Sequence, residues 1–140
     1  MQETIFTKIV KGEIPCHKVY EDERTFAFLD IHPVQPGMVL VVTKTPYPSF
    51  LELTEADAAA LWLTVRKVGA GLKAVFPNKK RIGVQIEGLD VLEGLDVPHV
   101  HVKLFPVDTG DQFRANPPSG DPNHEELARI ADKISKGITK

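Results

Sequence analysis

The chain has 140 residues, 42% of them apolar and 26% charged, with a formal charge of −2 and one cysteine, Cys16. That is enough chain for a core of its own and an ordinary globular composition, so a single domain over residues 1–140 is the simplest reading. It excludes a basic footprint for nucleic acid, an intrachain disulfide and, with no apolar run near the roughly 20 residues required, a helical membrane span.

In chain order, Met1-Gln2-Glu3-Thr4 lacks the basic-then-apolar order of a signal peptide, so a cytoplasmic setting is expected. Ile5–Val10 reads as one or two helical turns ended by Gly12 and Pro15. Val19–Glu21 and Phe26–Asp30 read as strands around a tight turn at Asp22-Glu23-Arg24. Pro33, Pro36 and Gly37 mark a loop. Met38–Thr43 is a continuous apolar run, hence a buried central strand. Thr54-Glu55-Ala56-Asp57 has the form of a helix start, with Thr54 as cap and acids in the first turn. Ala58, Leu61, Trp62, Val65, Val68, Leu72 and Val75 follow at helical spacing to about Phe76, where Pro77-Asn78 stops the helix. Arg81–Glu87 and Val97–Phe105 are further strands. Asp108–Asp121, rich in Gly, Pro and Asp, is a loop. Asn123 with Glu126 begins a last helix with the face Leu127, Ile130, Ala131, Ile134 and Ile138. Short connections between neighbouring strands favour antiparallel pairing, giving an α+β domain with helix over one face of the sheet.

Glu87-Gly88-Leu89-Asp90-Val91-Leu92 is followed at once by Glu93-Gly94-Leu95-Asp96-Val97-Pro98. Two near-identical hexads in tandem form a local duplication, too short for a solenoid repeat. Its period is even, so absorption into a ladder would not flip strand faces. Its glycines favour a lengthened loop or a bulge, read either as a tolerated expansion or as a lid over the residues that follow.

Those residues are Pro98-His99-Val100-His101-Val102-Lys103-Leu104-Phe105-Pro106. On a strand, side chains at i and i+2 share a face. His99, His101 and Lys103 then form one row, and Val100, Val102 and Leu104 turn into the core. The histidine pair has three readings from its residues alone: structural, metal-binding or catalytic. Zinc requires further ligands; there is no second cysteine, and His17, His32 and His124 have no ligand spacing with the pair, so a carboxylate such as Asp30 or Asp96 would have to serve. A neutral imidazole is a competent nucleophile near pH 7 when its other ring nitrogen is held and cationic donors meet the developing anion.

The stretch Val97–Pro106 resembles the signature of the histidine-triad (HIT) family, three histidines alternating with apolar residues. Ile5–Pro15, Phe28–Pro33 and Pro36–Lys44 resemble that family's preceding blocks in the right order. The resemblance implies a five-stranded antiparallel sheet with two main helices, usually as a homodimer. It implies binding of a purine nucleotide or nucleotide conjugate and cleavage at its α-phosphate through a nucleotidyl-histidine. Carried over, His101 is the nucleophile and the His99 backbone carbonyl holds its other ring proton. Asp30 is the acid that bonds the ribose hydroxyls, a role that suits a carboxylate acceptor. Phe28 and Ile31, with Ile9, line the base pocket, and Gly94 and Asp96 are the remaining candidates for nucleotide contact. Read without the family, Asp30 caps a strand end, Phe28 and Ile31 are core, and Cys16 is a small apolar filler.

The chain departs from the pattern in informative places. Lys103 stands where the third histidine belongs; it keeps positive charge but accepts no proton near neutral pH. Met38 occupies a position that is often histidine. Leu95 and Asp96 fall where phosphate donors are common, and an ionised Asp96 repels phosphate. The positions of the family's zinc ligands hold Thr4, Thr7 and Pro46, so neither a structural zinc nor a cofactor is expected. Two function classes besides the hydrolase stay open: a nucleotide-binding module without catalysis, and a metal-binding or purely structural dimer.

Overall fold

The computed structural model describes residues 3–33, 36–90, 97–108, 123–125, 128, 129, 132 and 136. Thr4 starts the first helix, α1 (Ile5–Val10), with a reciprocal capping box: its hydroxyl accepts from the Thr7 N–H, and the Thr7 hydroxyl accepts from the Thr4 N–H. Strands β1 (Lys18–Glu21) and β2 (Thr25–Leu29) are joined by a turn in which Asp22 Oδ1 accepts from the backbone N–H groups of Arg24 and Thr25, at 2.9 and 2.7 Å. The chain enters β3 (Val39–Thr43) through Gly37, whose φ of 86° suits glycine and whose missing Cβ would lie 2.9 Å from the Phe76 ring. A 3-10 turn (Phe50–Glu52) leads to the long helix α2 (Glu55–Val75), capped by Thr54 with Glu55 and Asp57 in its first turn. Strands β4 (Arg81–Gln85) and β5 (His101–Val107) complete the sheet.

The strand order is β1-β2-β3-β5-β4, with every neighbouring pair antiparallel. This is the expected five-stranded antiparallel sheet. The expected strands lie within about two residues of those observed, except the last. It starts at His101 rather than Val97, because Pro98 has no N–H to give and the next two donors are spent elsewhere: His99 N–H on Val97 O and Val100 N–H on Tyr47 O. The ladder to β3 therefore opens with the pair His101–Val42.

Two cores flank the sheet. On one face, Ala27, Val39, Val41, Val102 and Leu104 pack under Leu61, Val65, Val68 and Leu72 of α2. On the other, Phe26, Phe28, Leu40 and Val42 pack with Phe6 and Ile9 of α1. Alternation along β5 places His101 and Lys103 on this second face, beside Val42 and Leu40 respectively. The α2 stripe is narrower than its sequence suggests. Trp62 is half exposed and Val75 is 70% exposed. Trp62 follows the fully buried Leu61 by one residue, about 100° round the helix, and so leaves the sheet.

Of the last helix, His124, Glu125, Ala128, Arg129, Asp132 and Lys136 are helical and exposed. Its expected apolar face lies outside the described residues, as does nearly all of the expected 108–121 loop. Among the described residues, no helix is long and apolar enough to cross a membrane.

Candidate active site

The histidine row is not the side-by-side pair on a strand that its spacing suggests. His99 sits in the bend before β5, and its ring is fully buried. There, Nε2 lies 2.6 Å from the Thr43 carbonyl oxygen and Nδ1 lies 2.9 Å from Thr4 Oγ1. Burial holds its pKa below the ordinary histidine range. His101 and Lys103 do share a strand face, as expected.

His101 Nδ1 lies 2.8 Å from the His99 backbone oxygen. A carbonyl oxygen only accepts, so Nδ1 carries a proton, and in the neutral ring the lone pair is on Nε2. The Phe6 ring stands edge-on to both imidazoles, with centroids 5.6 Å from His99 and 5.1 Å from His101. This packing fixes both rings from the α1 side.

Lys103 Nζ is 2.8 Å from Glu87 Oε1, the first residue of the duplicated hexad. The Lys103 hydrogen bond and charge, with a smaller contribution from His101, hold the Glu87 carboxyl below the usual range. The Lys103 cation is therefore already met by an anion. The rest of the hexad that the structure describes is tied to the 3-10 turn: the Leu89 carbonyl accepts from Ser49 Oγ and from Phe50 N–H, at 3.0 and 2.8 Å.

Asp30 directly follows β2, and its Oδ1 accepts from the His32 N–H at 2.9 Å. It also borders a cavity of about 680 Å³ that lies against α2 and has Leu29, Val39, Leu72 and Phe76 among its walls. None of the histidines lines that cavity. Phe28 and Ile9 are buried in the α1-side core, whereas Ile31 is 70% exposed. The three base-pocket candidates thus do not yet form one closed wall. Met38 is buried with Phe105 and Val107, an apolar filler rather than a surface group. Gly94 and Asp96 lie outside the described residues. His17 and His32 are exposed, and Cys16 packs partly buried beside the α1-side core. Among the described residues, no three His, Cys, Asp or Glu side chains come together as metal ligands would.

Sequence reading missed Thr4, Thr43 and Glu87. Thr4 and Thr43 are 95 and 56 residues from His99, so no local pattern links them. The Thr4-x-x-Thr7 spacing is a visible signal for a helix start, though not for a histidine partner.

The HIT domain model matches residues 11–110. The Bacillus subtilis protein Hit is 34% identical over 138 residues, covering 96% of this chain and 93% of that protein. An adenosine 5′-monophosphoramidase of Schizosaccharomyces pombe is 33% identical over 135 residues, covering 96% of this chain and 97% of that one. A crystal structure of a Bacillus subtilis HIT-family member superposes with a TM-score of 0.85 at 32% identity, covering 99% of both chains.

Proposed function

The chain belongs to the HIT family, and on that premise we propose that it is a nucleotide hydrolase or transferase acting at the α-phosphate through a nucleotidyl-His101 intermediate. The observation that carries this reading is the His101 imidazole, oriented on the α1 face of β5 with its Nδ1 proton held by the His99 carbonyl. A relative that is an adenosine 5′-monophosphoramidase supports nucleotide hydrolysis in general.

In this mechanism His101 Nε2 forms a bond to the α-phosphorus as the bond to the leaving group breaks. The leaving group, an amine or a phosphate, departs with the electron pair, and an amine takes up a proton from solvent as it leaves. The imidazolium formed on His101 is stabilised by the His99 carbonyl at Nδ1. Water then attacks phosphorus as the bond from phosphorus to Nε2 breaks; the water gives up a proton to solvent, the nucleoside monophosphate leaves, and His101 is regenerated. Lys103 supplies positive charge to the phosphate oxygens, Asp30 holds the ribose hydroxyls, and Phe28, Ile9 and Ile31 take the purine. Gly94 and Asp96 remain proposed contacts to the nucleotide. The working unit is one HIT domain in a homodimer, and the exposed edge of β4 is the natural site for a second copy.

A second reading, nucleotide binding without turnover, is favoured by one observation: Lys103 is paired with Glu87, so its charge is partly spent. Turnover of an adenosine phosphoramidate by the wild-type protein and by His101→Asn separates the two. Loss of activity in the variant with AMP binding retained supports the hydrolase. AMP binding by both with hydrolysis by neither selects the binding module.

A further inference from the structure

The hydrogen bonds around His99 assign a direction to every proton in a closed chain. Thr43 offers His99 Nε2 a carbonyl oxygen, which only accepts, so Nε2 carries the ring proton. His99 is fully buried, and burial disfavours a second proton. Nδ1 is then a bare lone pair, and the group 2.9 Å away, Thr4 Oγ1, must donate to it. The Thr4 oxygen keeps a lone pair, and this accepts the Thr7 N–H at 3.2 Å. Thr7 Oγ1 closes the box by donating to the Thr4 carbonyl oxygen at 2.7 Å and accepting the Thr4 N–H at 2.7 Å. Each donor has one acceptor, and no buried side-chain nitrogen or oxygen is left unmatched among the described residues.

One hydroxyl therefore does two jobs. It caps α1 with its lone pair and locks the His99 tautomer with its proton. The His99 peptide oxygen in turn holds the Nδ1 proton of His101. Phe6, two residues after Thr4, stands against both rings.

We propose that Thr4 is a positioning residue for the reaction. Its hydroxyl fixes the His99 ring, and through the His99 carbonyl it fixes which nitrogen of His101 attacks. Folding of the α1 N-terminus is on this account part of assembling the nucleophile. The proposal rests on the reading of His101 as the attacking group, and its test carries one readout that does not depend on turnover.

Four variants separate the two jobs of the hydroxyl. Thr4→Ser keeps donor and acceptor. Thr4→Val loses both. Thr7→Val weakens the cap but leaves the Thr4 hydroxyl in place. Thr4→Asp keeps an acceptor for Thr7 N–H and puts an acceptor where the donor was. Turnover of an adenosine 5′-phosphoramidate with a fluorescent amine leaving group gives kcat and KM. Long-range ¹H–¹⁵N spectra of the imidazoles give the tautomers. The expected result is a loss of about tenfold or more in kcat for Thr4→Val with KM little changed, the scale of one lost buried hydrogen bond. Thr4→Ser restores kcat, and Thr7→Val keeps it while lowering Tm. In the wild type His99 carries its proton on Nε2 and His101 on Nδ1. In Thr4→Asp the His99 titration moves upward, because a carboxylate facing Nδ1 favours a second ring proton. Thr4→Val with wild-type kcat, an equal fall in Thr4→Val and Thr7→Val, or a wild-type His99 protonated on Nδ1 would each overturn the proposal. If the wild type turns over no substrate, the hydrolase reading fails. The spectra then decide alone: His101 keeping its wild-type tautomer in both Thr4→Val and Thr4→Asp overturns the positioning role.

Discussion

His101 and Lys103 stand two residues apart on one strand face, and each has a defined partner: a backbone carbonyl for the imidazole, a carboxylate for the ammonium. The partners differ in what they leave for a substrate. In the proposed mechanism the carbonyl occupies the nitrogen that does not attack. Glu87 occupies the charge that would meet phosphate. His101→Asn is therefore expected to lower turnover about a thousandfold or more while AMP still binds, since it removes the only proposed nucleophile. Glu87→Gln frees the ammonium, and calorimetry should show AMP binding tightened about two- to fivefold, the range of an exposed ion pair. Lys103→His should raise turnover or leave it unchanged if lysine merely substitutes for a third histidine. A large loss of both binding and rate would mean the site is built around the ammonium.

At the scale of elements, the apolar run of β3 and the heptad-like spacing of α2 were legible because burial writes its own period into the chain. The faces were legible too, with Val102 and Leu104 under α2 and His101 opposite. What was not legible is the start of β5 and the place of His99. Both depend on acceptors from distant segments, Tyr47 and Thr43, that compete with the ladder for the histidine segment. The hexad shows the same limit. Deleting Glu87–Leu92 removes the Glu87 and Leu89 contacts, but the second copy brings Glu93, Gly94 and Leu95 into the same order, so the variant should fold with a near-native circular dichroism spectrum and melting curve. The start of α2 is anchored by charge. Burial opposes ionisation of Asp57, but hydrogen bonds from Tyr47, Arg24 and Thr54 and the Arg24 charge outweigh it, and its carboxyl is held below the usual range. A carboxyl depressed on folding adds stability above its unfolded pKa of about 4, and that stability is lost as pH falls through the folded value. Tm should fall on acidification below about pH 4, and Asp57→Asn should start lower at pH 7 and lose less over that range.

For the whole molecule, one sheet separates two different tasks. The α2 face carries the aliphatic core and the cavity that Asp30 borders, and the α1 face carries the histidines. The edges are unequal. β1 is short and carries Lys18, while β4 presents Val84 at 45% exposure beside open backbone groups. In the proposed homodimer, a second copy pairing along β4 leaves both histidine faces in equivalent places; light scattering should then find the wild type dimeric and Val84→Asp monomeric with the fold retained. The proposed chemistry turns on one bond, from His101 to the substrate's phosphorus. The direct measurement mixes the protein with an adenosine phosphoramidate, quenches at alkaline pH within the first turnovers, and maps the mass of one adenylyl group by peptide analysis. With that bond formed, the mass lies on the peptide carrying His101 and is absent in His101→Asn. Turnover that leaves no adduct and continues undiminished in His101→Asn would contradict it.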